Sequence, residues 1–268
     1  MNKRVVIITG ASSGIGKALA FEFAKRNYRL VIAARNAQNL EKVKYDLLKL
    51  NCEVISVIAD VSVEADCKII IEKAIEHYKQ IDVLINNAGI SMRAIFEELN
   101  LIVLHKLMNT NFWGTVYCTK FALPWLLKSK GSVVAVSSVA GFVPLPGRTG
   151  YSSSKFAIHG FLQTLRIENL KKGLHVMLAA PGYTTSNIRK TALVADGTQQ
   201  GETPKNEERL MSPEKVAFYI ARGIEKHKRT VILTAQGKFT VLLYKFFPVF
   251  MDKIIYNYTA KEPDAPFK

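Results

Sequence analysis

A chain of 268 residues, 49% hydrophobic and 22% charged, has the length and apolar content for one large globular domain with a sizeable core. Its net charge of +15 comes from lysines and arginines spread along the chain, with no basic block or RNA-binding motif, which argues against nucleic acid as a partner. Cys52, Cys67 and Cys118 form no C-x-x-C pair, so neither a disulfide framework nor a metal site is expected, and a reducing, cytoplasmic compartment fits.

In chain order, MNKR runs into a short apolar strand, Val5–Thr9, with no apolar stretch of the length an export signal needs. TGASSGIG, Thr9 to Gly16, follows, and helical spacing of apolar residues covers Ile15–Asn27. Gly10, Gly14 and Gly16 let the backbone turn tightly and approach a pyrophosphate at a helix N-terminus, where free N–H groups and the helix dipole favour an anion. Ser12, Ser13 and Ile15 complete this loop. Its spacing is G-x-x-x-G-x-G, not the general G-x-G-x-x-G.

A second strand, Leu30–Ala34, ends at Arg35, where the general dinucleotide fingerprint expects a carboxylate for the ribose 2′-OH of NAD. The charge and fork of an arginine suit a 2′-phosphate, so NADP(H) is favoured over NAD(H), with Ser13 adding a hydroxyl donor. A helix over Asn39–Leu50 leads to strand Glu53–Ala59. Asp60-Val61 comes next, a carboxylate placed to accept from an adenine amino group. Beyond a helix over Glu64–Lys79, strand Val83–Ile85 runs into NNAG. Asn87, Ala88 and Gly89 are small or amide-bearing residues where backbone must pass close to a cofactor.

A long helix is predicted over Leu104–Lys128 and contains Asn111. Strand Val133–Ser137 then brings the chain to Ser138, and Y-S-S-S-K begins at Tyr151, 151 − 138 = 13 residues later, at the head of a helix over Ser152–Lys172. Positions i and i+4 share a helical face, so Tyr151 and Lys155 can reach one ligand. Strand His175–Ala179, the Pro181-Gly182 pair with Thr184 and Ser186, helix Pro213–Lys228 and strand Thr230–Leu233 complete the pattern. Near-continuous apolar strands alternating with helices predict an α/β Rossmann fold, a doubly wound seven-stranded parallel sheet. Ligands bind such sheets beyond the carboxyl ends of the strands, where every motif above falls.

TGASSGIG, NNAG, Asn111, Ser138, Y-S-S-S-K and Pro181-Gly182, in this order, resemble the short-chain dehydrogenase/reductase family over roughly residues 4 to 235. The resemblance implies that Tyr151 is the general acid or base toward a substrate carbonyl or alcohol. Lys155 would lower the phenol pKa and hold the nicotinamide ribose, Ser138 would bond the substrate oxygen, and Asn111 would organise a water chain behind the lysine. Segment 181–187 would contact the nicotinamide carboxamide, with Ser186 where a threonine is common. It further implies a small-molecule substrate and a homo-oligomer. A sensor or interaction protein on this fold, and a dehydratase or epimerase reusing Tyr and Lys, are the alternatives; the intact Asn111, Ser138, Tyr151 and Lys155 set argues for the oxidoreductase.

The polar stretch Thr184–Met211 is long for a connector and reads as a substrate loop. Phe142-Val143-Pro144-Leu145 and Tyr183 flank the site, as a hydrophobic substrate pocket or as core packing. Residues 1–237 are taken as the catalytic domain and 238–268 as an apolar extension. Its stretch KFTVLLYKFFPVFMDKIIYNY, 238–258, is broken by Lys245, Pro248 and Asp252 and does not supply the run of about 20 apolar residues that spans a bilayer. Its aromatic content leaves three placements: on a membrane surface, over the substrate mouth, or against another subunit. The extension resembles tails of hydroxysteroid dehydrogenases and microsomal dehydrogenase/reductase proteins.

Overall fold

Seven apolar runs pair into one sheet. In the computed structural model, which describes residues 3–202, 210–262 and 265–267, the strands are β1 (Val5–Thr9), β2 (Arg29–Ala34), β3 (Val54–Ile58), β4 (Val83–Asn86), β5 (Ser132–Val136), β6 (His175–Ala180) and β7 (Thr230–Ile232). The helices are α1 (Gly14–Lys25), α2 (Ala37–Leu48), α3 (Glu64–Tyr78), α4 (Leu101–Leu107), α5 (Gly114–Ser129), α6 (Thr149–Glu168), α7 (Pro213–Glu225), α8 (Ala235–Phe246) and α9 (Pro248–Ala260). All strand pairs are parallel, in the order β3-β2-β1-β4-β5-β6-β7.

Along β1, Val6 and Ile8 pack into the core layer with Leu19 and Phe23 of α1, Leu40 of α2 and Ile220 of α7, while Val5 and Ile7 join the opposite layer with Ile70 of α3, Leu126 of α5 and Leu162 of α6. A strand covered on both faces has no polar side, which is why the run is continuously apolar. Burying each such side chain contributes about 1.5–3 kcal/mol. The outermost strands β3 and β7 keep exposed residues, in accord with their edge positions. Strand order reverses between β1 and β4, and the crevice at their carboxyl ends is where the glycine loop and NNAG meet.

The predicted single helix over Leu104–Lys128 is corrected. The chain becomes helical earlier, at Leu101, and a π-helical turn over Met108–Trp113 separates α4 from α5. Asn111 sits in that turn with its side chain bonded outward to Ile90, a ligation that a regular α-helix would aim elsewhere. The helix predicted over Ser152–Lys172 starts at Thr149 and ends at Glu168, followed by a 3-10 turn over Leu170–Lys172. Cys67 and Cys118, distant in sequence, meet as buried free thiols between α3 and α5; the neighbouring Cys67 thiol and burial hold Cys118 well above the usual thiol range.

Beyond β7, α8 and α9 form a hairpin turning at Phe247-Pro248. Met251 and Ile255 pack with the fully buried Val143 and with Phe142 and Leu145, a small core separate from the sheet layers. The end of the chain returns to the loop before α6. Glu262 lies 3.8 Å from Arg93, with side-chain exposures of 5% and 9%. A Cβ at Gly147 would meet Pro266 at 2.9 Å, and Phe267 lies 5.0 Å from the Tyr256 ring. At the base of the expected substrate loop, Thr184 pairs with Met211, and Leu193 bridges to both Met92 and Gln199; residues 203–209 of that loop lie outside the described residues.

Candidate active site

β1 delivers the chain to Gly10, whose φ of +64° is left-handed. A Cβ there would lie 2.8 Å from Ala88 Cα, and one at Gly16 would lie 2.1 Å from the Gly10 carbonyl oxygen, so the turn closes only with glycine. Thr9 Oγ1 accepts from Asn87 N at 3.0 Å and Ala88 N at 3.1 Å. Asn87 Nδ2 donates back to the carbonyls of Thr9 at 2.9 Å and Gly10 at 3.2 Å. The loops after β1 and β4 are thereby fixed to each other. Ser13, the N-cap of α1, makes no side-chain cap bond, so its hydroxyl is not engaged on the helix end.

These loops wall a cavity of about 870 Å³. Every residue expected to bind cofactor or do chemistry lies on its wall except Gly16, packed beneath the loop, and Asn111, which is 1% exposed; of the apolar residues expected to flank the site, Leu145 and Tyr183 line it, while Phe142, Val143 and Pro144 do not. Arg35 Nη1 stands 3.3 Å from Asp60 Oδ2 and its side chain is 62% exposed. Asp60 Oδ1 accepts from Ser62 N at 2.9 Å and Ser62 Oγ at 2.8 Å. Partial burial pushes the Asp60 carboxyl up, but the Ser62 bonds and Arg35 outweigh it and leave it below the usual range. On the other side, Ser186 touches the glycine loop, 3.6 Å from where a Gly14 Cβ would stand.

Tyr151 lies in the first turn of α6, with Lys155 and His159 following at i+4 and i+8 on the same face. Ser138, just beyond β5, caps a 3-10 turn by accepting from Ala140 N at 3.2 Å, and it shares the cavity wall with the Tyr151 phenol. Burial pushes that phenol above its ordinary value, while the Ser138 hydroxyl and the Arg148 charge pull it back. Lys155 Nζ donates to Val136 O at 3.0 Å and lies 5.6 Å from the Tyr151 ring centroid. Burial lowers its pKa to about 8. The sequence reading gave the tuning of Tyr151 to Lys155, whose ammonium lies beside the ring; Ser138 and Arg148 are further groups that act on the phenol.

Behind them, Asn111 Oδ1 accepts from Ile90 N at 2.9 Å, and its Nδ2 donates to Ile90 O at 3.0 Å and Ser154 Oγ at 2.9 Å. Its carbonyl accepts from Thr115 Oγ1 at 2.8 Å. Ser137 Oγ is 2.6 Å from His159 Nε2, and burial with the nearby Lys155 charge lowers the His159 pKa to about 4. His159 is therefore a neutral prop beneath the turn that carries Ser138.

Sequence reasoning missed Thr9 as the tie between loops, Ser154 as the partner of Asn111, and Arg148. Thr9 opens the glycine motif and Ser154 lies inside Y-S-S-S-K, so both stood within recognised stretches without a role. Of the three placements the aromatic tail allowed, the one over the substrate mouth fits Met251, Ile255 and Tyr258 of α9, which wall the cavity about a hundred residues after Tyr151. Helical spacing gave no signal that this face would turn inward here.

A doubly wound sheet with a glycine cradle at its order reversal, and a Tyr, Ser and Lys converging beside it, defines a dinucleotide-dependent oxidoreductase. The chain belongs to the short-chain dehydrogenase family, whose sequence model matches residues 4–195. It is 36% identical to 11-beta-hydroxysteroid dehydrogenase-like 2 of Arabidopsis thaliana over 256 residues, 94% of this chain and 80% of that one. It is 43% identical to 11-beta-hydroxysteroid dehydrogenase A of Arachis hypogaea over 189 residues, 70% of this chain and 54% of that one, so it matches about half of that relative's length. Among solved structures, an alcohol dehydrogenase from the archaeon Thermococcus sibiricus complexed with 5-hydroxy-NADP superposes with a TM-score of 0.76 at 26% identity, covering 87% of this chain and 95% of that one. A short chain dehydrogenase/reductase from Burkholderia phymatum in complex with NAD gives 0.83 at 22% identity, covering 93% and 95%, and shares the fold.

Proposed function

We propose that this protein is an NADP(H)-dependent oxidoreductase interconverting a ketone and a secondary alcohol on a hydrophobic small molecule. The observation that carries the reading is the meeting of the Tyr151 and Ser138 hydroxyls on one cavity wall, with Lys155 one helical turn behind. The left-handed backbone at Gly10 and Gly14 on the cavity wall, the Ser13 hydroxyl not engaged in capping and the flanking NNAG fit a dinucleotide pyrophosphate. When bound, the dinucleotide supplies or accepts the hydride.

In reduction, Tyr151 gives its proton to the carbonyl oxygen of the substrate and Ser138 donates a hydrogen bond to the same oxygen, sharing the charge that builds there. A phenol held high by burial is protonated at neutral pH, as a donor must be. In the reverse direction Ser138 and Arg148 are the groups that ease removal of that proton. Lys155, with its ammonium already bonded to Val136 O, has further donors that would hold the nicotinamide ribose.

Arg35 supports NADP(H): its exposed guanidinium, paired only across 3.3 Å to Asp60, offers a fork to a 2′-phosphate at the end of β2. The two solved neighbours above carry an NADP derivative and NAD respectively, so this preference rests on Arg35. Leu145, Met251, Ile254 and Ile255 on the cavity wall support an apolar substrate. The test is a screen of apolar ketones with NADPH and of the matching alcohols with NADP⁺, followed at the nicotinamide absorbance. Turnover of an apolar ketone that is lost in Tyr151→Phe is the expected result; turnover retained in that variant overturns the assignment.

A further inference from the structure

Asp60 and Glu262 are the carboxylates on the cavity wall, and each has its own cation: Asp60 stands 3.3 Å from Arg35, and Glu262 stands 3.8 Å from Arg93. Arg148 stands on the same wall without a carboxylate. Among the described residues its guanidinium makes one hydrogen bond, from Nη1 to Met92 O at 2.8 Å, and joins no ion pair. A guanidinium has five N–H donors, so four are left with no protein acceptor among those residues. A half-buried cation in that state gives up hydration without recovering it from a partner, a cost that an anionic ligand offsets.

The group is anchored. Met92 is fully buried and bridges to Leu193 of the substrate loop, and Ala94 N donates to Gly147 O at 3.0 Å, so the loop after β4 is tied to the residue before Arg148. Arg148 is the N-cap of α6, and residues 148, 151 and 155 follow at i, i+3 and i+7 on one helical face. Lys155, expected to hold the nicotinamide ribose, thus lies one turn to one side of Tyr151, and Arg148 lies about 4.5 Å along the axis to the other. Its charge acts on the Tyr151 phenol, so the guanidinium and the reacting hydroxyl are near each other. Arg148 therefore belongs to the substrate side of the cavity, where Leu145, Met251, Ile254 and Ile255 supply apolar wall.

We propose that Arg148 binds an anionic oxygen group, carboxylate or phosphate, on an otherwise apolar substrate, a few bonds from the carbonyl that Tyr151 protonates. The planar fork meets either anion with paired N–H···O bonds, and the apolar wall takes the rest of the molecule. The chain's net charge of +15 draws such ligands toward the cavity. With the anion on Arg148 and the carbonyl oxygen between Tyr151 and Ser138, the substrate is held at two points, which fixes the carbonyl face turned to the nicotinamide. The place of that carbonyl rests on the carbonyl-reductase reading above; anion binding does not.

The test is calorimetric titration of the full chain, saturated with NADP⁺ so that no ketone is reduced, with γ-oxononanoate, its methyl ester and a γ-oxoalkyl phosphate of the same length. At least one anion is expected to bind about tenfold or more tighter than the neutral ester, and which of the two binds tighter separates carboxylate from phosphate. Arg148→Gln keeps a donor toward Met92 O but loses the charge, and should bring the anion-to-ester ratio to about one. The action of Arg148 on the Tyr151 phenol is common to all three ligands, so the ratio isolates the anion contact. Equal binding of anion and ester by the wild type, a ratio unchanged in Arg148→Gln, or binding of none of the three overturns the proposal. Where Arg148→Gln does not fold, judged by melting temperature, Arg148→Lys decides: it keeps the charge without the fork and should lower the ratio by about threefold or more, and an unchanged ratio overturns the proposal. Replacing NADP⁺ by NADPH then reads turnover. Ester and acid reduced equally well overturns the anion site and leaves the carbonyl-reductase reading standing. Anion binding that depends on Arg148, with no reduction of any ligand, supports the site and counts against that reading.

Discussion

At the scale of single residues, the chemistry concentrates on two groups whose environments set their protonation. Tyr151 is held up by burial and moderated by Ser138 and Arg148, while Lys155 is brought down to about 8 by burial. Tyr151→Phe is expected to reduce turnover by about two to four orders of magnitude with little change in NADPH affinity, measured by initial rates and fluorescence titration. Arg148→Gln removes a charge that favours the phenolate, so the pKa governing alcohol oxidation should rise; a pH profile unchanged by the substitution would remove Arg148 from this role. Arg35→Glu sets a carboxylate against a 2′-phosphate and should shift preference from NADPH toward NADH by about tenfold or more, read as the ratio of the two dissociation constants. The residue types and their order were legible in the sequence because each motif follows its strand. Their electrostatic partners were not, since Arg148 acts on Tyr151 through a fold of the loop that spacing does not encode.

At the scale of elements, polar contacts decide shapes that propensity does not. Asn111 ties the π-turn between α4 and α5 to Ile90 and α6 through three side-chain bonds. Asn111→Leu strands the Ile90 N–H and C=O, so a loss of about 2–4 kcal/mol in urea unfolding is expected, together with weaker cofactor binding. The helical pattern of Leu104–Lys128 concealed this break because a π-turn adds one residue without changing composition. His159 gives α6 a pH response. Its pKa falls from 6.5 to about 4 on burial, so the unfolded state binds more protons between those values and stability declines as pH falls through that window. The loss is on the order of 3 kcal/mol by pH 4. His159→Gln, which keeps a donor toward Ser137, should flatten that part of the urea-midpoint profile relative to wild type.

At the scale of the whole molecule, one sheet and one hairpin share the work. The sheet fixes where dinucleotide loops meet, and the hairpin closes the substrate end by packing Met251 and Ile255 on Val143. Met251→Ala removes a side chain that is 4% exposed and also walls the cavity, so a cost of about 2–5 kcal/mol at most is expected, together with a raised KM for an apolar ketone. Thermal melting and steady-state kinetics measure the two effects separately. The sequence by itself determined the βαβ alternation, the parallel sheet and the placing of each motif after a strand, because periodicity and glycine punctuation are local properties of the chain. Tertiary structure alone decided that Thr9 clamps NNAG, that Ser138 and Arg148 act on the phenol, and that one face of the aromatic tail is cavity wall while the other stays exposed. Those are contacts between segments tens to hundreds of residues apart, and an amphipathic pattern states that a face will be buried without stating against what.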